Sequence, residues 1–454
     1  MMRSMFSGVS GLRTHQTKMD VIAHNISNVN TVGFKSSRVT FNDVFSQTIS
    51  GASRANENTG KGGTNPMQIG LGVNVSSIDK NMSTGAAQRT DRALDLMING
   101  DGFFVVSDGS GTYFTRAGAF DLDEQGYLVM GNGMRVNGWD TAKKDGHTVI
   151  QPDLVRPIQI AGEKEYVSPT TSTYVDVRGN LNAEAIMNSA SGEHVSSLSV
   201  YDSIGNRWVI DCTYKYTPAV GSTPASWELS YGTKAYLNGN RNDTENTMEL
   251  GAALPSTTIA FDTNGRLISG TAAPGATGNV LASDNTITLD LSAFAALTPI
   301  PADFGEGGTG TVTLDLSNLT QFGNETTSGR MDTIDGNSPG TLQGLSVGSD
   351  GIITGRYSNG ETMMLGQIPI AQFKNPAGLQ AMGNNLYVTT ANSGDFDGRG
   401  IETGDMMGGV LEMSNVDLSS EFTEMITTQR GFQASSRLIT TSDEMLQELV
   451  NLKR

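Results

Sequence analysis

The two ends of the chain constrain its fold more than anything between them. Met5, Val9, Leu12, Gln16, Met19, Ala23 and Ile26 recur at alternating steps of four and three residues, and Leu418, Phe422, Met425, Gln429 and Phe432 repeat that spacing near the other end. After a shift, Leu438, Met445, Leu449 and Leu452 continue the second stripe, with Leu446 beside it. Such spacing is the seam of a coiled coil, narrower than the apolar face of a globular core helix. Either stripe alone also fits an amphipathic helix docked on its own domain. Because both ends carry one and the middle carries none, the sequence predicts terminal helices, residues 1–30 and 416–454, that come together as an inner core.

Between them the 454 residues leave room for two or three domains. The net charge of -17 offers no basic excess to displace counterions from phosphates, which argues against nucleic acid or an anionic membrane surface as partner. With 55 glycines and 17% charged residues, the composition suits a β-rich extracellular protein with many turns. The single cysteine, Cys212, rules out an internal disulfide framework, and within the strand-like Trp208–Tyr216 it reads as a buried apolar residue. Ser4, Ser7, Ser10, Arg13 and His15 interrupt any apolar run of a cleaved signal peptide, and no stretch approaches the ~20 apolar residues of a membrane span.

Taken in order, residues 4–29 read as a helix with Ser4 as N-cap, followed by a bend at Gly33. Residues 31–70 read as an extended linker, poor in large apolar side chains from Ser46 to Met67. Short alternating strands assign 71–154 and 334–415 to one β domain, and 155–333 to an all-β domain inserted in it; as inner and outer layers they are distinguished only by the resemblance described below. Asp262-Thr263-Asn264-Gly265 predicts a hairpin turn, and 271–284 and 299–310 predict long loops. Ser414 or Asn415 is the expected cap of the last helix. The fold class is therefore mainly β with α-helical termini, one β domain nested in another. Insertion of this kind needs loop ends that lie close together.

Catalytic and metal chemistry lack their usual patterns. His15, His24, His147 and His194 are scattered, with no zinc spacing, phosphate loop or nucleophile elbow. Gly100-Asp101-Gly102 reads as a hairpin turn. Asp121-Leu122-Asp123-Glu124-Gln125-Gly126 imitates the start of a calcium loop, but the position of the bidentate Glu is Asn132, so a turn is the better reading. Asp332 and Asp335 lie in a loop without a pocket signal. No catalytic residue, metal ligand or cofactor site is expected.

Several blocks are more specific. Asn25-Ile26-Ser27-Asn28-Val29-Asn30-Thr31-Val32-Gly33-Phe34-Lys35 resembles the N-terminal signature of bacterial flagellar rod and hook axial proteins. Gly100–Phe104, Thr115-Arg116-Ala117-Gly118-Ala119-Phe120 and Gly126-Tyr127-Leu128 resemble the next block of that family, and Ser414–Leu418, Met425-Ile426, Gln429-Arg430 and Asp443–Leu446 its C-terminal block. The resemblance covers about residues 1–150 and 340–454, and the long insert between points to its hook branch rather than to shorter distal rod subunits. It implies export through the flagellar type III apparatus without cleavage, an extracellular place in the basal body and hook, and self-assembly into a flexible curved tube. The implied partners are copies of the chain itself, the distal rod protein, the hook cap and the hook-filament junction proteins. A distal rod or junction subunit, or a calcium-dependent surface adhesin, are the alternatives. Some spirochaete members cross-link a cysteine to a neighbouring lysine, but Cys212 has no recognisable match to such a position and is left as core.

Overall fold

The computed structural model describes residues 2–54, 62–144, 147–150, 155–182, 193–217, 226–241, 247–249, 254–262, 264–268, 285–291, 310–323, 327–394, 401–402 and 405–452. The chain forms two compact units. The first comprises Met1–Lys164, Gly344–Gly355 and Met363–Arg454, and the second Glu165–Gln343 and Arg356–Thr362. Residues 156–164 fall in the first unit rather than in the insert, because Arg156–Pro157 pairs with Gly138 and Asn137 and Ile158 donates its N–H to the Val136 carbonyl.

In the first unit, helix α1 spans Met2–Ser27 and helix α2 spans Leu418–Asn451. Ser4 lies inside the first turn of α1, on its exposed side, rather than capping it. The cap of α2 is Asp417, whose carboxylate accepts from Ser419 N at 2.9 Å and places a negative charge at the positive end of the helix. Asn415 is committed elsewhere: its Oδ1 accepts from Ser36 N, and its Nδ2 donates to the carbonyls of Asn81 and Ser83.

The segment read as a linker contains paired strands. Strand β1 (Ser37–Asp43), β2 (Ser46–Ser50), β3 (Met67–Gly70) and β4 (Val73–Lys80) form two antiparallel pairs in series, β1 with β4 and β2 with β3. Ladder hydrogen bonds order this ribbon without a core, which the composition could not signal.

Further along, strands from the two halves of the sequence alternate. Ala87–Arg89 pairs with Val410–Glu412, Leu96–Asn99 with Asp405–Gly408, and Thr112–Thr115 with Leu386–Val388. Each ladder closes a long loop of chain, and together they bring the roots of α1 and α2 to the same place. Phe103, Val105, Phe114, Ala371, Leu379 and Tyr387 fill a core beneath them. Gly100-Asp101-Gly102 is a turn but not a hairpin, because the strands on either side of it pair with different partners. Gly102 has φ 130°, and a Cβ there would lie 2.1 Å from Ile370 Cγ2, so only glycine fits.

The second unit is a sandwich. One sheet orders Thr286–Asp290, Thr311–Thr320, Tyr174–Asn180 and Arg330–Ile334; the other joins Glu193–Tyr201, Arg207–Thr217 and Ser226–Leu237, with Thr247–Glu249 and Thr257–Ile259 beside the last. Alternate residues point inward, and Val175, Tyr214, Trp227, Leu229, Ile287 and Leu314 meet in one core. Cys212 is fully buried there, and burial pushes its thiol up to about 12. At the expected hairpin, Asp262 Oδ1 accepts from Asn264 N and Arg266 N at 2.8 Å, and Gly265 has φ 75°. Residues 271–284 and 299–309 lie outside the described residues.

Candidate functional site

With no described group of His, Cys, Asp or Glu placed to hold a metal, the site that the fold builds is the helix pair and its root. At the calcium-like segment, Asp123 Oδ1 closes the turn by accepting from Gln125 N and Tyr127 N.

The helices run antiparallel. A Cβ on Gly8 would lie 3.2 Å from Ile439 Cγ1, one on Gly11 would lie 2.9 Å from Ser435 Oγ, and one on Gly431 would lie 2.7 Å from the His15 ring. Farther along, Lys18 pairs with Glu424 at 3.0 Å, and Asn25 Nδ2 donates to Glu421 Oε1 at 2.9 Å. The contact is therefore made largely by small and polar residues, with Thr14, Thr428 and Ser442 buried along it and Ile22 and Ile439 as its apolar members. Glycine and serine let the two backbones approach closely, with Gly8 making room for Ile439 and Gly431 for the His15 ring.

The apolar stripes lie mostly to the side of this contact. Met425 and Leu446 share the face of Thr428, Ser435 and Ser442 by helical spacing and are half-buried. Phe422 is 49% exposed, Met445 and Leu449 50%, and Leu452 81%; Leu418, Phe432 and Leu438 are exposed with them. On α1, Val9 and the neighbouring Phe6 are exposed, while Met5, Leu12, Met19 and Ile26 are half-buried. Gln16 and Gln429 are exposed. What hydrophobic periodicity misses is the inner contact, for which the available signal was the pairing of Gly8 and Gly11 with Gly431 and Ser435.

At the root, most of the signature residues converge. Asn25 Oδ1 accepts from Ser37 N and its Nδ2 donates to Ser37 O, tying the end of α1 to β1. Asn28 Nδ2 donates to His24 O, and its Oδ1 accepts from Thr31 Oγ1. Gly33 has φ 68° and passes so close to Arg116 and Ala117 that a Cβ would lie 2.7 Å from Ala117 N. Phe34 is buried edge-on to His24, and a Cβ on Gly118 would lie 1.8 Å from Leu96 O. Gln429 and Arg430 stand apart, exposed on α2.

Sequence reasoning placed Arg116 and Lys35 in signature blocks but did not single out Glu412 or foresee that these charges meet at the centre of this root. Lys35 Nζ lies 2.6 Å from Glu412 Oε1, and Arg116 Nη1 lies 3.3 Å from Glu412 Oε2, all three side chains being buried. Burial pulls the Lys35 ammonium below its ordinary value, and the Glu412 carboxylate opposes that pull. Burial likewise raises the Glu421 carboxyl, against the Asn25 hydrogen bond. A lysine after Gly33-Phe34 and a glutamate between Leu411 and Met413 were the available signals.

The same segments match known families. Residues 5–35 match the flagella basal body rod protein family, 97–183 the flagellar hook protein FlgE/F/G D1 domain, 169–336 the flagellar basal body protein FlaE D2 domain, and 407–452 the flagellar basal body rod FlgEFG protein C-terminal family. The flagellar hook protein FlgE of Borreliella burgdorferi is 41% identical and that of Treponema pallidum 38%, each over the whole of both chains. A Bacillus subtilis protein named flagellar basal-body rod protein FlgG is 32% identical over the whole of both chains, so the length of the insert does not by itself separate rod from hook. The crystal structure of Helicobacter pylori flagellar hook protein FlgE2 covers 72% of this chain and all of its own, with a TM-score of 0.50 at 15% identity, which speaks for the fold. Full-length identity to two hook proteins, with family matches at both termini and through the insert, decides the assignment: the chain belongs to the flagellar hook protein family and is a structural subunit.

Proposed function

We propose that copies of this chain assemble into a flexible curved tube outside the cell, a universal joint that carries torque from rod to filament. The observation that carries this reading is the helix pair. It closes on itself through Gly8, Gly11, Gly431 and Ser435, and leaves Phe6, Val9, Phe422, Met445 and Leu449 facing water until neighbouring copies cover them. The paired helices form the inner core of the tube, with Gln16 and Gln429 fixing the register of one copy on the next. The β1–β4 ribbon adds a second such surface, since Ile49, Met67 and Ile69 on β2 and β3, and Val44 and Phe45 just before β2, are all exposed.

The axial neighbours in this reading are the distal rod protein, the hook cap during growth and the hook-filament junction proteins. The chain reaches them through the flagellar export apparatus without cleavage. Support for that comes from the packing of α1 on α2: cleavage within α1 would remove half of the assembly device. The role is mechanical, with no cofactor and no catalytic step.

Electron microscopy of the purified, concentrated chain tests the proposal. Curved tubes are expected. Straight tubes would assign the chain to the rod, and a protein that stays monomeric under all polymerising conditions would defeat the reading.

A further inference from the structure

The buried charges at the helix root have no part in the contacts between copies described above. Glu412 is fully buried and accepts from Lys35 Nζ at 2.6 Å, Gly85 N at 2.9 Å and Arg116 Nη1 at 3.3 Å. Lys35 Nζ also donates to Ser83 O at 2.7 Å. Arg116 Nη2 donates to Gly100 O at 2.7 Å, and its guanidinium lies over the Phe103 ring, 5.4 Å from the centroid. The node thus joins four stretches of chain around one carboxylate.

For stability alone this is a poor choice, because well-packed apolar residues commonly match or exceed a buried ion pair. What an ion pair with several directed hydrogen bonds adds is a single allowed geometry. Its position gives that geometry a use. Lys35 lies just past the end of α1, and Glu412 just ahead of the start of α2. Gly33 N donates to Glu412 O at 2.8 Å, and Ser36 N to Asn415 Oδ1 at 2.8 Å, so both strands that leave for the helices are gripped at the same level. The chain passes from α1 into the β part of the unit, and from the β part into α2, through this one point.

We propose that the Lys35–Glu412–Arg116 node sets how stiffly the helix pair is held on the β part of its own subunit, and thereby the bending stiffness of the tube. Lys35 and Glu412 are positioning residues in this scheme. Loosening their link softens the tube without preventing its assembly, since the exposed stripes of α1 and α2 are untouched. The inference rests on the tube reading above.

The test uses full-length chains carrying Lys35→Met, Glu412→Gln and both together, polymerised and imaged beside the parent protein. Lys35→Met keeps the Arg116–Glu412 pair and so retains a folded root if Glu412→Gln does not. The double variant restores the net charge of the node, one positive, without restoring the link. The expected result is tubes of normal diameter with a shorter persistence length and a wider spread of curvature for Lys35→Met and the double variant alike. Amide exchange at residues 33–36, 83–85 and 412–416 should be at least about ten-fold faster, while Phe104–Ser107 is unchanged. Parent stiffness in Lys35→Met overturns the proposal, as does recovery of stiffness in the double variant, which would leave charge balance as the only requirement. If the parent itself forms no tubes, the tube reading fails, and the exchange data still decide whether the node holds the root.

Discussion

The inserted sandwich and the helix pair solve opposite problems with opposite residues. In the sandwich, Trp227, Tyr214, Leu229 and Leu314 are buried between two sheets of one chain, and the core is complete. In the helix pair, glycine, serine and threonine occupy the inner contact while Phe6, Phe422, Met445 and Leu449 remain outside. Apolar burial is the main force behind both folding and association. A region that spends its large side chains inside is finished as a monomer, and a region that keeps them outside is finished only by a neighbour. On the reading proposed above, the difference separates a sandwich that folds by itself from a helix pair left for assembly.

Placing charges on the outer stripe should break this comparison most sharply. Phe422→Asp combined with Met445→Asp is expected to abolish tube formation, seen by sedimentation and microscopy, while the denaturant unfolding of the sandwich stays at its parent midpoint. A shifted midpoint would show that the stripe belongs to a domain core. The converse change is Leu314→Ala in the sandwich. Removing that fully buried side chain should lower the stability of the insert by about 2–5 kcal/mol, while the helix pair, followed by its own exchange protection, is unaffected. Equal loss in both regions would mean that they fold as one cooperative block.

The same contrast explains what could be seen in advance. The nested β organisation and the terminal stripes were legible because large apolar residues mark them by period. The inner face of the helix pair was not, since Gly8, Gly11, Thr14, Gly431 and Ser435 carry almost no hydrophobic signal and look like surface. Glu412 was passed over, and Lys35 noted only as the end of a signature block, for a related reason: charged side chains belong in water unless a partner is known. Asp417 and Asn415 are equally good caps by residue type, and only the hydrogen bonds of Asn415 to Ser36 and Ser83 show that it was already engaged. The β1–β4 ribbon was read as linker because its order comes from backbone ladders.

Graded substitutions at the inner contact sharpen the comparison. Gly11→Ala would meet only the Ser435 hydroxyl, which can rotate away, and alanine gains about 0.8–1.0 kcal/mol of helix propensity over glycine. It should be neutral or stabilising. Gly431→Leu drives a side chain into the His15 ring and should cost about 1–3 kcal/mol of helix-pair stability, read from helical melting at fixed protein concentration. If both variants behave alike, close approach of the backbones is not what this face is for.

The smallest expected effect is a pH dependence at that same crossing. His15 is faced by Lys18 from its own helix, by Gly431 of α2 and by the edge of the Phe41 ring from β1. Burial, with Lys18 adding, holds the imidazole below its ordinary value. The unfolded chain therefore takes up the proton first as pH falls. Stability contributed by neutral His15 is complete above the ordinary histidine range and is lost as the pH drops through the folded value. Helical melting should weaken modestly between about pH 7 and pH 5, and His15→Gln should flatten that slope without altering the sandwich. Because the ring is only partly buried, solvent limits the effect to less than that of Gly431→Leu. A slope that survives His15→Gln would move the titration elsewhere, with the raised Glu421 carboxyl excluded by its sign: such a group is most stabilising when protonated, so acid would strengthen the pair.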